Sequence, residues 1–220
     1  KFDQSGSPKS YVLVPDNDVF TLLNGSSNAP FTMAAWIRPS NQDSTRVILS
    51  KFHHDTEATA NEWMFGHQGR KLFFIFQHGP TGNQWVFNSS VNVLSDTLNT
   101  WQHVAVTFNK TSAKFYVNGA LINTTTGTKD AGFTTTTNTP AVLLIGQKFT
   151  GTTIGFRGQM RDVVHVKHAD SVSPFDDNQI RELYNNGHSW NLQEHSRGSE
   201  IDAWWPLGAE GDVEDVTMRD

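Results

Sequence analysis

The segment Trp101–Ile122, WQHVAVTFNKTSAKFYVNGALI, limits the fold more than any other stretch of the chain. Polar and apolar residues alternate on both sides of a short polar break, and an Asn118-Gly119 pair follows. A period of two belongs to strands with one buried face. Asn-Gly is the strongest short hairpin signal, because both central residues of a type I′ turn carry positive φ. Three successive antiparallel strands are predicted. Trp101, His103, Ala105 and Thr107 fall on one face of the first strand, with Val104, Val106 and Phe108 on the other. Phe115 and Val117 alternate with Lys114, Tyr116 and Asn118. The expectation is an all-β chain.

Other stretches read the same way. Tyr11–Val14, Phe31–Arg38, Val47–Phe52, Glu62–Phe65, Lys71–His78 and Gln84–Asn88 each suit a strand. In KLFFIFQH both faces are apolar, with Leu72, Phe74 and Phe76 on one and Phe73 and Ile75 on the other. A strand of that kind belongs inside a large sheet with both faces covered. Asn24–Pro30 and the Thr-rich Thr124–Thr139 read as loops. One helix is predicted over Pro174–Asn186, with Ser173 as N-cap, Asp176 and Asp177 in its first turn, and Gly187 as its stop. Ile180, Leu183 and Tyr184 form its apolar stripe.

In wording and order these landmarks resemble a known family. W-x-H-V-A followed by Y-x-N-G is similar to the signature of laminin-G-like jelly rolls, in the concanavalin A-like lectin and glucanase superfamily. PFTMAAWIRPS at Pro30–Ser40, VILSKF at Val47–Phe52, LLIGQ at Leu143–Gln147, FRGQMRDVVHV at Phe156–Val166 and DNQIRELYNNG at Asp177–Gly187 follow in the family's order. The resemblance spans roughly residues 10–190 and implies an antiparallel β-sandwich with one short helix near its end. Residues 1–195 are assigned to the jelly roll and 196–220 to a C-terminal strand and tail. IDAWWPLG at Ile201–Gly208 resembles the opening strand of such a unit. It therefore either completes this sandwich or leads into a further one.

Composition removes several function classes. Cysteine is absent, which excludes disulfides, thiolate metal sites and thiol catalysis. Animal extracellular relatives usually carry a disulfide, so the resemblance favours a microbial or viral source. The formal charge is −5 and no Lys/Arg run occurs, so neither nucleic acid nor an anionic membrane is an expected partner. No apolar run approaches the ~18–20 residues of a membrane helix. The chain opens on Lys1 and not Met, as either a processed product or an excised piece of a longer protein would.

Enzyme chemistry has little to stand on. A retaining glucanase needs carboxylates at alternate strand positions, about 5 Å apart. The only local match is Glu210-Gly211-Asp212-Val213-Glu214, in a Gly-containing acidic tail, so no catalytic residues are assigned. His165 and His168 are three apart and face opposite sides of a strand, which disfavours a shared metal. No cofactor is required. By resemblance a structural calcium ion is an option, with Asp16, Asn17 and Asp18 as foremost ligands and Asp3, Asp55 and Asp130 in other loops.

Glycan recognition pairs aromatic faces with amides and carboxylates. Trp85 and Trp63 are the candidate platforms, with His53, Asp55, Asn61, Gln77, His78 and Asn83 nearby along the chain. Packing is the competing role for Trp63, and the expected one for Trp36, Trp101, Trp204 and Trp205. The reading is a non-enzymatic surface module, extracellular or on a virion. Its partner is a glycan or another surface protein, and self-association stays open. A structural subunit that cements neighbours is the main alternative, and a glycoside hydrolase the lesser one.

Overall fold

A computed structural model describes residues 1–3, 10–25, 27–52, 61–78, 82–149, 154–185 and 194–207. Its strands are β1 (Val12–Val14), β2 (Leu23–Asn24), β3 (Ser27–Asn28), β4 (Phe31–Pro39), β5 (Thr45–Lys51), β6 (Trp63–Gln68), β7 (Lys71–Gln77), β8 (Gln84–Asn88), β9 (Gln102–Phe108), β10 (Ala113–Val117), β11 (Ala120–Thr125), β12 (Thr128–Lys129), β13 (Leu143–Ile145), β14 (Gly158–Lys167) and β15 (Ala203–Trp205). The one α-helix among the described residues, α1, spans Asp177–Tyr184. Two antiparallel sheets pack as a sandwich. One runs β1-β13-β5-β6-β7-β8-β12 and the other β11-β10-β9-β4-β14-β15, while β2 and β3 form a small separate ribbon. No described helix is long and apolar enough to cross a membrane.

The signature segment supplies β9, β10 and β11. Asn118 and Gly119 take φ of 50° and 74°, as a type I′ turn demands. Val104, Val106, Phe108 and Phe115 enter the core between the sheets. There Phe31 packs on Phe74 and Phe108, with ring centroids 4.6 and 5.4 Å apart. Ala105 and Tyr116 point the other way, yet both are fully buried. They lie in a second apolar layer with Val164, Phe175, Ile180, Leu183 and Ile201, beneath α1 and the C-terminal segment. The double-faced β7 has a similar explanation. Leu72, Phe74 and Phe76 join the main core, and Phe73 joins Val47, Phe52 and Met64 on the outer face.

Two local expectations are corrected. The helix starts at Asp177, not Pro174, and its N-cap is Asp176 instead of Ser173. Asp176 accepts from the Asn178 and Gln179 amides, and Gln179 reciprocates, forming a capping box. Residues before the cap stay outside the helix, where the Phe175 amide donates to the Thr32 hydroxyl of β4, at 3.0 Å. Asn185, in the left-handed region, ends the helix; Gly187 lies outside the described residues. The Thr-rich stretch is not wholly a loop. Thr128 and Lys129 pair with Val86 and Trp85, and the Thr136 hydroxyl is tied to the Leu23 carbonyl at 2.7 Å.

At the other sheet's edge, Ala203–Trp205 pairs with β14 across His165, Val164 and Val163. A bulge in β14 between Arg161 and Val164, with Asp162 at φ 49°, re-aims the strand as it meets β15.

Candidate functional site

The sequence candidates gather mainly at the turn between β7 and β8. Gln77 and Gln84 close the ladder as a pair, and their side chains are joined by a 3.1 Å hydrogen bond from Gln84 Nε2 to Gln77 Oε1. The His78 amide donates to the Asn83 carbonyl at 2.8 Å. Asp130 lies alongside, accepting the Gln84 amide on Oδ2 at 2.8 Å. The Gln77 amide reaches the Glu62 carbonyl at 2.8 Å, which puts neighbouring Asn61 at the same end. Asn61 Oδ1 is buried without a hydrogen-bond partner. Asn61, His78, Asn83 and Trp85 therefore share one rim.

Trp85 is half-buried on that rim. Its indole N–H donates to the Thr126 carbonyl at 2.9 Å. Its ring leans on Phe87, Phe108 and Phe133, with centroids 4.8, 5.5 and 6.2 Å away. The Lys129 ammonium lies 5.0 Å above the ring. At an exposed site such a contact stabilises by only about 0.5–1 kcal/mol, so a ligand face can displace it.

Trp63 is corrected from sugar platform to core residue. It is fully buried, donates its N–H to the Phe20 carbonyl at 2.8 Å, and stacks between Phe74 and His165. Its register opposite Phe76 and Lys51 turns it inward. His53 and Asp55 lie outside the described residues, as does the Glu210–Glu214 motif.

Asp16, Asn17 and Asp18 do not form the oxygen cage a calcium ion needs. Asp16 is 2.9 Å from the Lys51 ammonium, an internal cation. The Asn17 side chain caps a short 3-10 helix by accepting the Val19 amide at 2.9 Å, and Asp18 accepts from Asn138 at 2.7 Å. Among the described residues no cluster of three or more metal-ligating side chains occurs.

Sequence reasoning missed two polar centres, one buried and one partly buried. In one, Lys51 Nζ contacts Glu62 Oε1 at 2.6 Å and the Thr139 carbonyl at 2.7 Å. Burial pushes the Glu62 carboxyl up, against the pull of Lys51 and Thr139. In the other, Arg197 Nε donates to Glu200 Oε1 at 2.6 Å. His168 lies 3.1 Å from the other carboxylate oxygen and 3.0 Å from the Thr32 hydroxyl. Nearby, Phe175 stacks on His195, centroids 4.6 Å apart. The bond from Arg197 holds the Glu200 carboxyl below its ordinary value, while burial lowers His168 and His195. His165 faces the core instead, stacked on Trp63, so the two histidines diverge as their spacing requires. A Lys, a Glu and a few His scattered along a sequence give no periodic signal that they will meet.

The carboxylates just described are spent on structural bonds. The fold and its landmarks meet in one comparison: the laminin G type model described as the concanavalin A-like lectin/glucanases superfamily matches residues 5–173. The chain belongs to that superfamily. A similar fold is found in the binding domain of Paraclostridial Mosquitocidal Protein 1, at 16% identity and TM-score 0.55, covering 82% of this chain and 42% of that one. A putative carbohydrate binding protein from Bacteroides ovatus is 16% identical with TM-score 0.55, over 90% of this chain and 49% of its own. Domain 4 of AbnA, an extracellular GH43 arabinanase from Geobacillus stearothermophilus solved with arabinotriose, is 14% identical with TM-score 0.52, over 80% and 73%. This superfamily member thus spans under half the length of the first two. No curated protein matches the sequence.

Proposed function

We propose that this domain is a non-catalytic recognition module that binds glycans at the Trp85 rim. The observation that carries the reading is Trp85 itself. It is anchored by its N–H and four aromatic neighbours, Phe76, Phe87, Phe108 and Phe133, yet stays only half-buried at one end of β8, two residues from Asn83 and opposite the strand pair that leads to Asp130. A sugar's C–H face suits the ring, and its hydroxyls suit Asn83, two residues before Trp85 and so on the same face, and Asp130 beside the strand paired with it. Support comes also from the similarity to domains whose names include carbohydrate binding or a bound arabinotriose. The proposed setting is a virion or an extracellular surface, where such a module acts by adhesion. The cysteine-free composition supports it.

A glycan array of the purified domain tests this. At least one reproducible ligand class is expected, with Trp85→Ala weakening it about 10–100-fold, the loss of one stacked ring. A folded Trp85→Ala variant that binds as the parent does would move the site elsewhere. A second reading, a cementing subunit, is favoured by Leu13 and Tyr11. Both are exposed apolar residues, at 50% and 38%, on or beside β1 at the end of its sheet. A silent array together with tight association with a structural protein would support it.

A further inference from the structure

A cleft of about 210 Å³ opens on the side of the sandwich away from the main core, where the β9–β10 hairpin meets the lead-in to α1. Its walls bring together side chains that the glycan rim does not use. Asn109 Oδ1 is saturated, accepting the amides and hydroxyls of both Thr111 and Ser112. Only its NH₂ is left to donate. Lys114 spends one ammonium hydrogen on Asp177 Oδ1, at 3.1 Å, an oxygen that also accepts the Tyr116 hydroxyl at 2.9 Å. Asp176 uses Oδ1 for the helix cap, accepting the Asn178 and Gln179 amides. Its Oδ2 stays available as an acceptor. The Ser112 and Ser173 hydroxyls add groups able to accept. Pro174 supplies an apolar surface in the same cleft.

We propose that this cleft is a second saccharide site, built for one uncharged, polyhydroxylated ring. Three features select that class. An ammonium and an amide NH₂ stand beside a free carboxylate oxygen, and a sugar hydroxyl satisfies both kinds because it donates and accepts. The charges argue against ionic ligands. The lining carries one charge of each sign, Lys114 and Asp176, so an anion meets the carboxylate and a cation meets the ammonium. The size is below the ~300 Å³ at which ordinary ligand pockets begin, so it suits a single ring with Pro174 against its C–H face. With the Trp85 rim on the other sheet, the module would hold a branched or repeating glycan at two separate points, and binding to a dense surface would gain from both.

The test is backbone amide NMR of the whole domain, titrated at millimolar concentration with the methyl glycosides of glucose, galactose and mannose and, separately, with inorganic phosphate. At least one glycoside is expected to shift amides at 107–114 and 173–177 saturably, and phosphate is not. Asp176→Asn keeps the helix cap, since Asn caps as well as Asp, but turns the free acceptor into a donor. It should weaken binding about tenfold, the loss of one charge-assisted hydrogen bond. Trp85→Ala should leave these shifts in place, which separates this site from the rim. The proposal is overturned if no glycoside moves those amides, if phosphate moves them as strongly, if shifts are confined to 77–85 and 126–133, or if Asp176→Asn binds like the parent.

Discussion

Lys51→Met is expected to lower the free energy of unfolding by about 3–5 kcal/mol, the range for breaking one side of a buried ion pair. Lys51 and Glu62 are both fully buried. The ammonium is surrounded by Glu62, Asp16 and the Thr139 carbonyl, at 2.6, 2.9 and 2.7 Å. Removing it leaves the Glu62 carboxylate with only the Thr139 amide and hydroxyl, at 2.9 and 2.8 Å, while Oε2 is buried without a partner in the intact protein. Asp16 is about one-third exposed and can turn to water. The double variant Lys51→Met/Glu62→Leu should therefore regain most of the loss, because it removes both charges instead of stranding one. Urea unfolding of the parent, both single variants and the double variant measures the coupling. A Lys51→Met variant within about 1 kcal/mol of the parent would contradict the buried pair.

Acid is expected to act almost as strongly, through histidines held neutral. Burial pushes His103 down to about 3 and His67 down to about 4. His103 packs between Trp36 and Tyr184, with centroids 5.6 and 6.0 Å away. His67 meets the Gly69 carbonyl through Nδ1 at 2.8 Å and the edge of Phe156. Folded values below the ordinary 6.5 mean that the unfolded chain takes up protons first. Stability is then complete above pH 6.5 and declines as the pH falls toward the folded values. At pH 5 each of these two residues withdraws about 2 kcal/mol. His168 and His195 shift in the same direction and add to the decline. Urea midpoints between pH 7.5 and 5 should fall steeply, and His103→Gln should flatten the slope whatever it does to the absolute stability. A profile that is level across this range would show these rings to be wet or already charged.

The fold was largely legible because sandwich strands write their burial into a period of two. Val104, Val106 and Phe108 announce the inner face of β9, and Asn118-Gly119 announces the turn that follows. The helix boundary was harder to read. Pro174 is compatible with a first helical position, but the Phe175 amide is taken by a hydroxyl 143 residues away in sequence, a long-range contact that local preference does not encode. The candidate rim has a simple geometric origin. His78, Asn83 and Trp85 lie together because a hairpin turn joins β7 to β8, and Asn61 reaches the same end because β6 runs antiparallel to β7. Trp63 stays open between platform and packing in the sequence because a tryptophan at the start of a strand looks the same whether the register turns it inward or outward. The Lys51–Glu62 and His168–Glu200–Arg197 centres depend on loops crossing between elements, and no spacing rule covers those.

The most direct measurement of glycan recognition at the rim is ¹⁹F NMR of the domain carrying 5-fluorotryptophan at its seven tryptophans. Trp85→Phe assigns the Trp85 resonance, and the spectrum is then followed as a ligand from the array is added. The Trp85 line should shift progressively to saturation while the buried Trp63 line stays in place. Saturated binding with an unmoved Trp85 line would contradict the account.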